Sequence, residues 1–451
     1  MNKVSCIVVG AGPAGSACAY SLARKGIETV VLERGRDAGD KNVASFLLIP
    51  GVLKHLIPDY RESAPLERTV TEFPVLQLGE RDFLKTQGRF YDWIDTPLGF
   101  TAYRSRFDAW FAGKAKEAGA EIIPGMTATD LIMDKGRVIG VKVGEDELFA
   151  DVVVGADGAH SLMSERAGLI PRLDTMKTHL AVKEVLDLVP EAIEERFQLG
   201  KDEGCCIHGL GCYPVDDIGG FFTMYTNRDS LTLSIMGTVK LLADKQVKLY
   251  ERLNLLKAHP YIAALIRGSQ VREYQAHILS YGGRVDPKKV YADGFLLCGE
   301  AGGFLNAYKV GVPTGMLTGM MAAETIAWAK SKGDFSVRNL KYYRNFLRSS
   351  AILDIVSQTA KINNYYSRKG IQKIPVYSRT ATKLFEEIPK DGFDFIGQER
   401  FSFGGLIYKN IIEDFLPAFV RWPVNFLVRI IARGNRILKR IKARRTPYVW
   451  K

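Results

Sequence analysis

Three short apolar runs in the first 300 residues end in glycine-bearing turns, two of which also carry an acid. Val4 to Val9 stops at Gly10-Ala11-Gly12-Pro13-Ala14-Gly15, and Ser16 to Lys25 follows with helical spacing and small residues facing inward. Glu28 to Leu32 then predicts a second strand, with Glu33 at its end. Asp151 to Gly155 predicts another strand, running into Ala156-Asp157-Gly158-Ala159-His160-Ser161. Phe295 to Cys298 predicts one more, running into Gly299-Glu300-Ala301-Gly302-Gly303. Between these, Ala115 to Pro124 reads as a helix followed by a strand.

The first unit has the order strand, glycine turn, helix, strand, acid, which is the order of a dinucleotide-binding unit. Gly10 permits the tight turn, Gly12 lets the backbone approach a pyrophosphate, and Gly15 lets helix and strand pack closely. The N-terminus of that helix offers N–H donors and the positive end of its dipole to the phosphates. Glu33 is placed to accept hydrogen bonds from the adenosine ribose, and its charge repels a 2′-phosphate. A lone glycine fingerprint would be weak evidence; the complete unit is specific.

Composition narrows the class. With 451 residues, 47% of them hydrophobic and 25% charged, the chain is too long for one core and suits two or three interleaved domains. Met1 to Val9 enters a strand without a signal-peptide pattern, which predicts a cytoplasmic location. No window approaches the apolar length of a spanning helix, so any membrane attachment is expected to be peripheral. The six cysteines are scattered and suggest neither a disulfide framework nor a cluster-binding run; the Cys205-Cys206 pair reads as core or loop thiols.

The formal charge is +12, yet ten Lys and Arg and no acid fall between Arg421 and Lys451, which leaves only +2 elsewhere. A basic tail argues against a nucleic-acid enzyme, which spreads basic residues over its groove. In that tail Leu427, Val428, Ile431, Leu438 and Ile441 share one helical face, with Arg429, Arg433, Arg436, Arg440 and Arg444 opposite. Pro423 suits the helix start, and Trp422 and Phe426 fit an interfacial level. Such a helix suits an anionic membrane surface, or the body of a partner.

The turns at Asp157-Gly158 and Gly299-Glu300 resemble the D-G and G-D motifs of the large FAD-dependent oxidoreductase superfamily of glutathione-reductase and hydroxylase-like folds. That resemblance implies FAD, with Asp157 and Glu300 along its pyrophosphate, ribose and ribityl part. A Glu at position 300 departs from the family's usual Asp. Further segments are similar to the FixC flavoproteins, relatives of electron-transfer-flavoprotein:quinone oxidoreductase. They are Glu33-Arg34-Gly35, Gly39-Asp40-Lys41-Asn42-Val43, Tyr103-Arg104-Ser105-Arg106-Phe107-Asp108, Val182-Lys183-Glu184-Val185, Gly219-Gly220-Phe221, Tyr225 to Leu231 and Glu273-Tyr274-Gln275-Ala276-His277. The similarity covers roughly residues 1 to 345, and Gly303-Phe304-Leu305-Asn306 leans toward the quinone oxidoreductase branch.

By this resemblance the fold is α/β: a glutathione-reductase/hydroxylase-like FAD-binding Rossmann fold with an inserted mixed β-sheet substrate (quinone) domain and a helical C-terminal region. The expected division is 1–75, 100–170 and 285–335 for FAD, 76–99 and 171–284 for the inserted domain, 336–420 for the helical region and 421–451 for the tail. Expected cofactor contacts are Gly10, Gly12, Ala14, Gly15, Glu33, Arg34, Lys41, Asn42, Arg104, Asp157, Gly158, Gly299, Glu300, Gly303 and Asn306. A helix starting near Thr314 is expected to aim its N-terminus at the isoalloxazine. Tyr274 and His277 are candidates to hydrogen-bond a quinone carbonyl, each more often a structural residue.

The flavin carries the chemistry of electron transfer, so no acid–base pair and no catalytic side chain or metal is assigned. The resemblance implies electrons arriving from electron-transfer flavoprotein subunits through a separate ferredoxin-like iron–sulfur subunit, and leaving to a membrane quinone. That is the quinone branch of a FixABCX-type electron-bifurcating complex, peripheral on the cytoplasmic face of the membrane. The competing expectation is a geranylgeranyl or polyprenyl reductase, which shares the fold and a lipid-like substrate.

Overall fold

The computed structural model describes residues 3–42, 44–89, 97–170, 174–210, 212–280, 285–305 and 311–357. Asn306 and the whole tail from Arg421 lie outside the described residues.

The first sheet has eight strands. Its parallel centre is ordered Phe295–Leu297, Asp146–Gly155, Lys3–Val9, Thr29–Glu33 and Glu121–Pro124. A two-residue strand, Tyr291–Ala292, closes one edge, and the antiparallel strands Arg137–Val143 and Ala128–Asp134 extend from Asp146–Gly155. The central strands read as near-continuous apolar runs because residues pointing to either face are buried, with helices packed on the sheet.

Pro13–Ala23 is the first of these helices, and it is buried almost all round because its residues are small. It packs against Gly311–Ser331, where a Cβ on Gly319 would sit 2.2 Å from the Ala14 carbonyl oxygen. Only glycine allows two helix backbones that close. Arg104–Glu117 flanks the same helix and buries Phe107, Phe111 and Ala115. Tyr343, from the helix Tyr342–Ser349, is fully buried and donates its hydroxyl to the Leu297 carbonyl at 2.9 Å. The expected helical character after residue 336 is therefore present as far as residue 357.

The second sheet is mixed and ten-stranded. Its order is Gln270–Ser280, Thr178–Asp187, Ser230–Thr238, Phe221–Thr226, Glu203–Leu210, Leu66–Glu72, Phe100–Tyr103 and Ser45–Leu48. The hairpin Val75–Leu78 and Phe83–Thr86 joins at Glu203–Leu210. Three of these strands, Ser45–Leu48, Leu66–Glu72 and Phe100–Tyr103, lie in sequence stretches expected to belong with the cofactor domain. Helices Pro190–Phe197, Leu249–Ala258 and Pro260–Ile266 cover one face, with Ile193, Phe197, Leu253 and Ile262 in that core.

Arg68 fastens the far side of this sheet. Its guanidinium is almost fully buried and donates to the carbonyls of Asn227 (2.7 Å), Glu203 (3.1 Å) and Arg228 (3.2 Å), and to Glu194 (3.2 Å). Such a charge is tolerable inside because every donor group meets an acceptor.

Candidate cofactor site

Strand register brings the glycine turns together. Leu297 stands beside Gly155, Gly155 beside Val9, Val9 beside Leu32, and Leu32 beside Ile123. The turns at Gly10, Ala156 and Cys298 thus leave the carboxyl edge of one parallel sheet side by side, where open α/β sheets bind their ligands.

Each glycine of the first turn has a separate reason. Gly10 has φ +105°, and a Cβ there would meet the Ala156 carbonyl oxygen at 2.6 Å. Gly15 approaches the Gly10 carbonyl so closely that a Cβ would lie 1.9 Å from its oxygen. A Cβ on Gly12 would meet nothing within 4 Å, and its φ of −70° needs no glycine. The protein's own packing therefore explains Gly10 and Gly15 but not Gly12; close approach of a ligand explains Gly12. No side chain caps the helix that starts at Pro13, so its N-terminal donors face this same edge.

Glu33 sits at the end of the second strand, as expected. Its carboxylate accepts from Ala11 N–H at 2.9 Å and Gly35 N–H at 2.7 Å, which locks the acid to the turn it serves. Arg34 is exposed. Gly39 (φ +84°) lies so close to Arg104 and Asp108 that a Cβ would be 2.8 Å from each, pinning the loop that carries Lys41 and Asn42. The Lys41 carbonyl accepts from the Gln275 side chain, a tie to the second sheet.

Asp157 accepts from Met163 N–H at 3.0 Å through one carboxylate oxygen, while the other is buried with no hydrogen-bond partner among the described residues. Burial raises its pKa despite the backbone donors. Gly158 (φ +70°) has open space beside its Cα. On the third turn, Gly299 (φ +61°) and Gly303 (φ +78°) are left-handed, and Gly299 N–H donates to Thr318 Oγ1 at 2.9 Å. Ala14 packs at this crossing, 2.7 Å from where a Cβ on Gly299 would lie.

Glu300 accepts from both Ser280 N–H (2.6 Å) and Ser280 Oγ (3.1 Å). Burial pushes its carboxyl up to about 7, opposed by the Ser280 donors and by Arg104 and Lys183. Arg104, an expected cofactor contact, forks onto buried Asp108 at 2.7 to 3.2 Å and lies 5.6 Å over the Phe46 ring. The helix Gly311–Ser331 begins three residues before Thr314, whose hydroxyl donates back to the Phe304 carbonyl at 2.8 Å.

The quinone candidates are separated. Tyr274 and His277 are three apart on one strand, so they point to opposite faces. Tyr274 stands opposite Glu184 and is 53% exposed. His277 faces the cofactor turns; burial, then Lys183, Arg104, His160 and Arg34, lower its pKa to about 3. Ser280, Asp108, Gln275 and Lys183 take part here without having been singled out. The available signal was a lone lysine in the apolar strand Leu180 to Val185.

An orphaned acceptor on Asp157, open space at Gly12 and Gly158, and an uncapped helix end together fit a long anionic dinucleotide. With its parallel sheet and inserted mixed sheet, the site defines an FAD-dependent oxidoreductase. A family model described as FAD dependent oxidoreductase matches residues 5–93. Protein FixC of Azorhizobium caulinodans is 38% identical over 358 residues, 78% of this chain and 82% of its own. The probable electron transfer flavoprotein-quinone oxidoreductase YdiS of Escherichia coli is 34% identical over 414 residues, 90% of this chain and 92% of its own. The chain belongs to this family of FixC and electron-transfer flavoprotein-quinone oxidoreductases, and its cofactor is FAD.

Among solved structures, a geranylgeranyl bacteriochlorophyll reductase-like protein from Thermoplasma acidophilum has a TM-score of 0.69 at 18% identity, covering 92% of this chain and 97% of its own. The flavin-dependent brominase Bmp2 gives the same TM-score and identity, covering 92% and 99%. At that identity the likeness is one of fold.

Proposed function

We propose that this chain passes electrons from an electron-transfer flavoprotein, by way of a separate ferredoxin-like subunit, to a membrane quinone, as the FixC-like member of a FixABCX-type bifurcating complex. The observation that carries the reading is the near full-length similarity to a relative named as an electron transfer flavoprotein-quinone oxidoreductase. FAD, when bound, supplies a carrier for one or two electrons. The chain's own residues hold it: the turns at Gly10, Gly12, Ala14 and Gly15 and at Gly299 and Gly303 meet the pyrophosphate, and Glu33 and Arg34 the adenosine end. Lys41, Asn42, Arg104, Asp157, Gly158 and Glu300 would complete the contacts.

The six cysteines are free and buried, five of them divided between the two cores, which favours a partner subunit as the carrier of any cluster. Among the described residues no helix is long and apolar enough to cross a membrane. The basic face of the tail then supplies attachment to an anionic cytoplasmic surface, next to a lipid-soluble acceptor.

The deciding experiment is anaerobic stopped-flow absorbance of the reduced protein mixed with a soluble ubiquinone or menaquinone analogue. Fast flavin reoxidation is expected. A flavin that stays reduced refutes quinone transfer and turns the reading to the polyprenyl reductase, tested next with a polyprenyl lipid.

A further inference from the structure

Lys183 lies on Thr178–Asp187, one strand in from the edge of the ten-stranded sheet. Its neighbours Ala181, Val182 and Val185 are buried, so an apolar residue would suit the position better if packing alone decided it. The next residue shows how this sheet treats a structural charge. Glu184 points to the opposite face and is paired with Lys257 at 2.8 Å. Lys183 makes no hydrogen bond and no ion pair with any described residue.

Its surroundings are the cofactor turns. Register sets Lys183 opposite Gln275, which ties down the loop after Glu33, and next to His277. From the other domain Arg104 and Glu300 face it, each already engaged, Arg104 by Asp108 and Glu300 by Ser280. His160 and Arg34 lie beyond, sensed by His277. His277 is neutral and Arg104 is matched by Asp108, whereas Lys183, on the inner strand, has no carboxylate bonded to it among the described residues; Arg34, also without one, is exposed to solvent.

We propose that Lys183 is a potential-setting residue: its unpaired ammonium faces the cofactor site from the sheet side and favours the reduced, more negative form of FAD. The physical reason is Coulombic, since reduction would add negative charge to a cofactor bound at the turns that this poorly solvated cation faces. The same burial brings the ammonium pKa down to about 8, so the charge is lost in mildly alkaline solution. This inference rests on FAD binding and not on the identity of the electron acceptor.

The test is the flavin midpoint potential of the FAD-loaded protein, read against a reference dye in an anaerobic reductive titration. Lys183→Met is expected to lower the equilibrium constant for two-electron reduction about tenfold, or about 30 mV. Lys183→Arg is expected to stay near wild type. The gap between wild type and Lys183→Met should narrow as pH rises past about 8. If Lys183→Met does not retain FAD, Lys183→Gln removes the charge with a polar head and is read in the same way. An unchanged potential in the charge-removing variant, or an equal drop in Lys183→Arg, overturns the proposal.

Discussion

Gly12 and Gly15 lie three residues apart in one turn, and the structure predicts opposite consequences for the same substitution. In Gly15→Ala the new Cβ would lie 1.9 Å from the Gly10 carbonyl oxygen, where real contacts do not fall below 3.0 Å. Helix and turn must separate by at least 1.1 Å, the difference of those distances. A gap of this size forfeits roughly a quarter to a half of each dispersion contact across the interface. With the strain, the cost is about 3 kcal/mol, at the upper end of overpacking penalties.

In Gly12→Ala the Cβ meets nothing and φ is −70°, so the apoprotein should stay within about 0.5 kcal/mol of wild type. Its FAD affinity should fall by tenfold or more, because the methyl group occupies the approach to the pyrophosphate. Urea unfolding of each apoprotein and FAD titration by fluorescence quenching separate the two effects. A Gly12→Ala protein with wild-type affinity, or a Gly15→Ala apoprotein of wild-type stability, refutes the reasoning.

Arg68→Met leaves the buried Asn227 carbonyl and the partly buried acceptors of Glu203, Arg228 and Glu194 without their donor and should cost about 3 kcal/mol in urea unfolding. Thr318→Val removes the acceptor of Gly299 N–H and should cost about 1–3 kcal/mol while weakening FAD retention on gel filtration. Glu300 has a folded pKa of about 7, above its ordinary 4.5, so the folded state holds this proton more tightly. Apoprotein stability should therefore decline as pH rises from about 4.5 to 7, and Glu300→Gln should flatten that part of the melting-temperature profile. An unchanged profile contradicts the burial of this carboxyl.

The first 33 residues were legible because each step of the dinucleotide unit is local: strand, turn, helix and acid follow in order, and their bounds shift by only a few residues. The resemblance supplied the family and the cofactor. The short strands Ser45–Leu48, Leu66–Glu72 and Phe100–Tyr103 were assigned by their place in the chain. A four- to seven-residue strand carries no mark of which sheet it will join, and Ser45 meets Thr232 across 187 residues. Tyr274 and His277 were paired by chemistry alone; a period of two separates positions three apart. The pairing of Arg104 with Asp108 was not legible, because Asp108 reads equally well as a surface residue one turn on. Its burial depends on Gly39 closing over it from a distant loop.

The aligned register of Leu297, Gly155, Val9 and Leu32 also bears on biosynthesis. Three strand ends, at Val9, Gly155 and Leu297, must lie abreast before the dinucleotide has a complete berth. A ribosome that has released only the first hundred residues has made the Gly10 turn and its helix, but neither the Asp157 nor the Glu300 wall. The full berth for the cofactor therefore forms only after the Glu300 turn has left the ribosome.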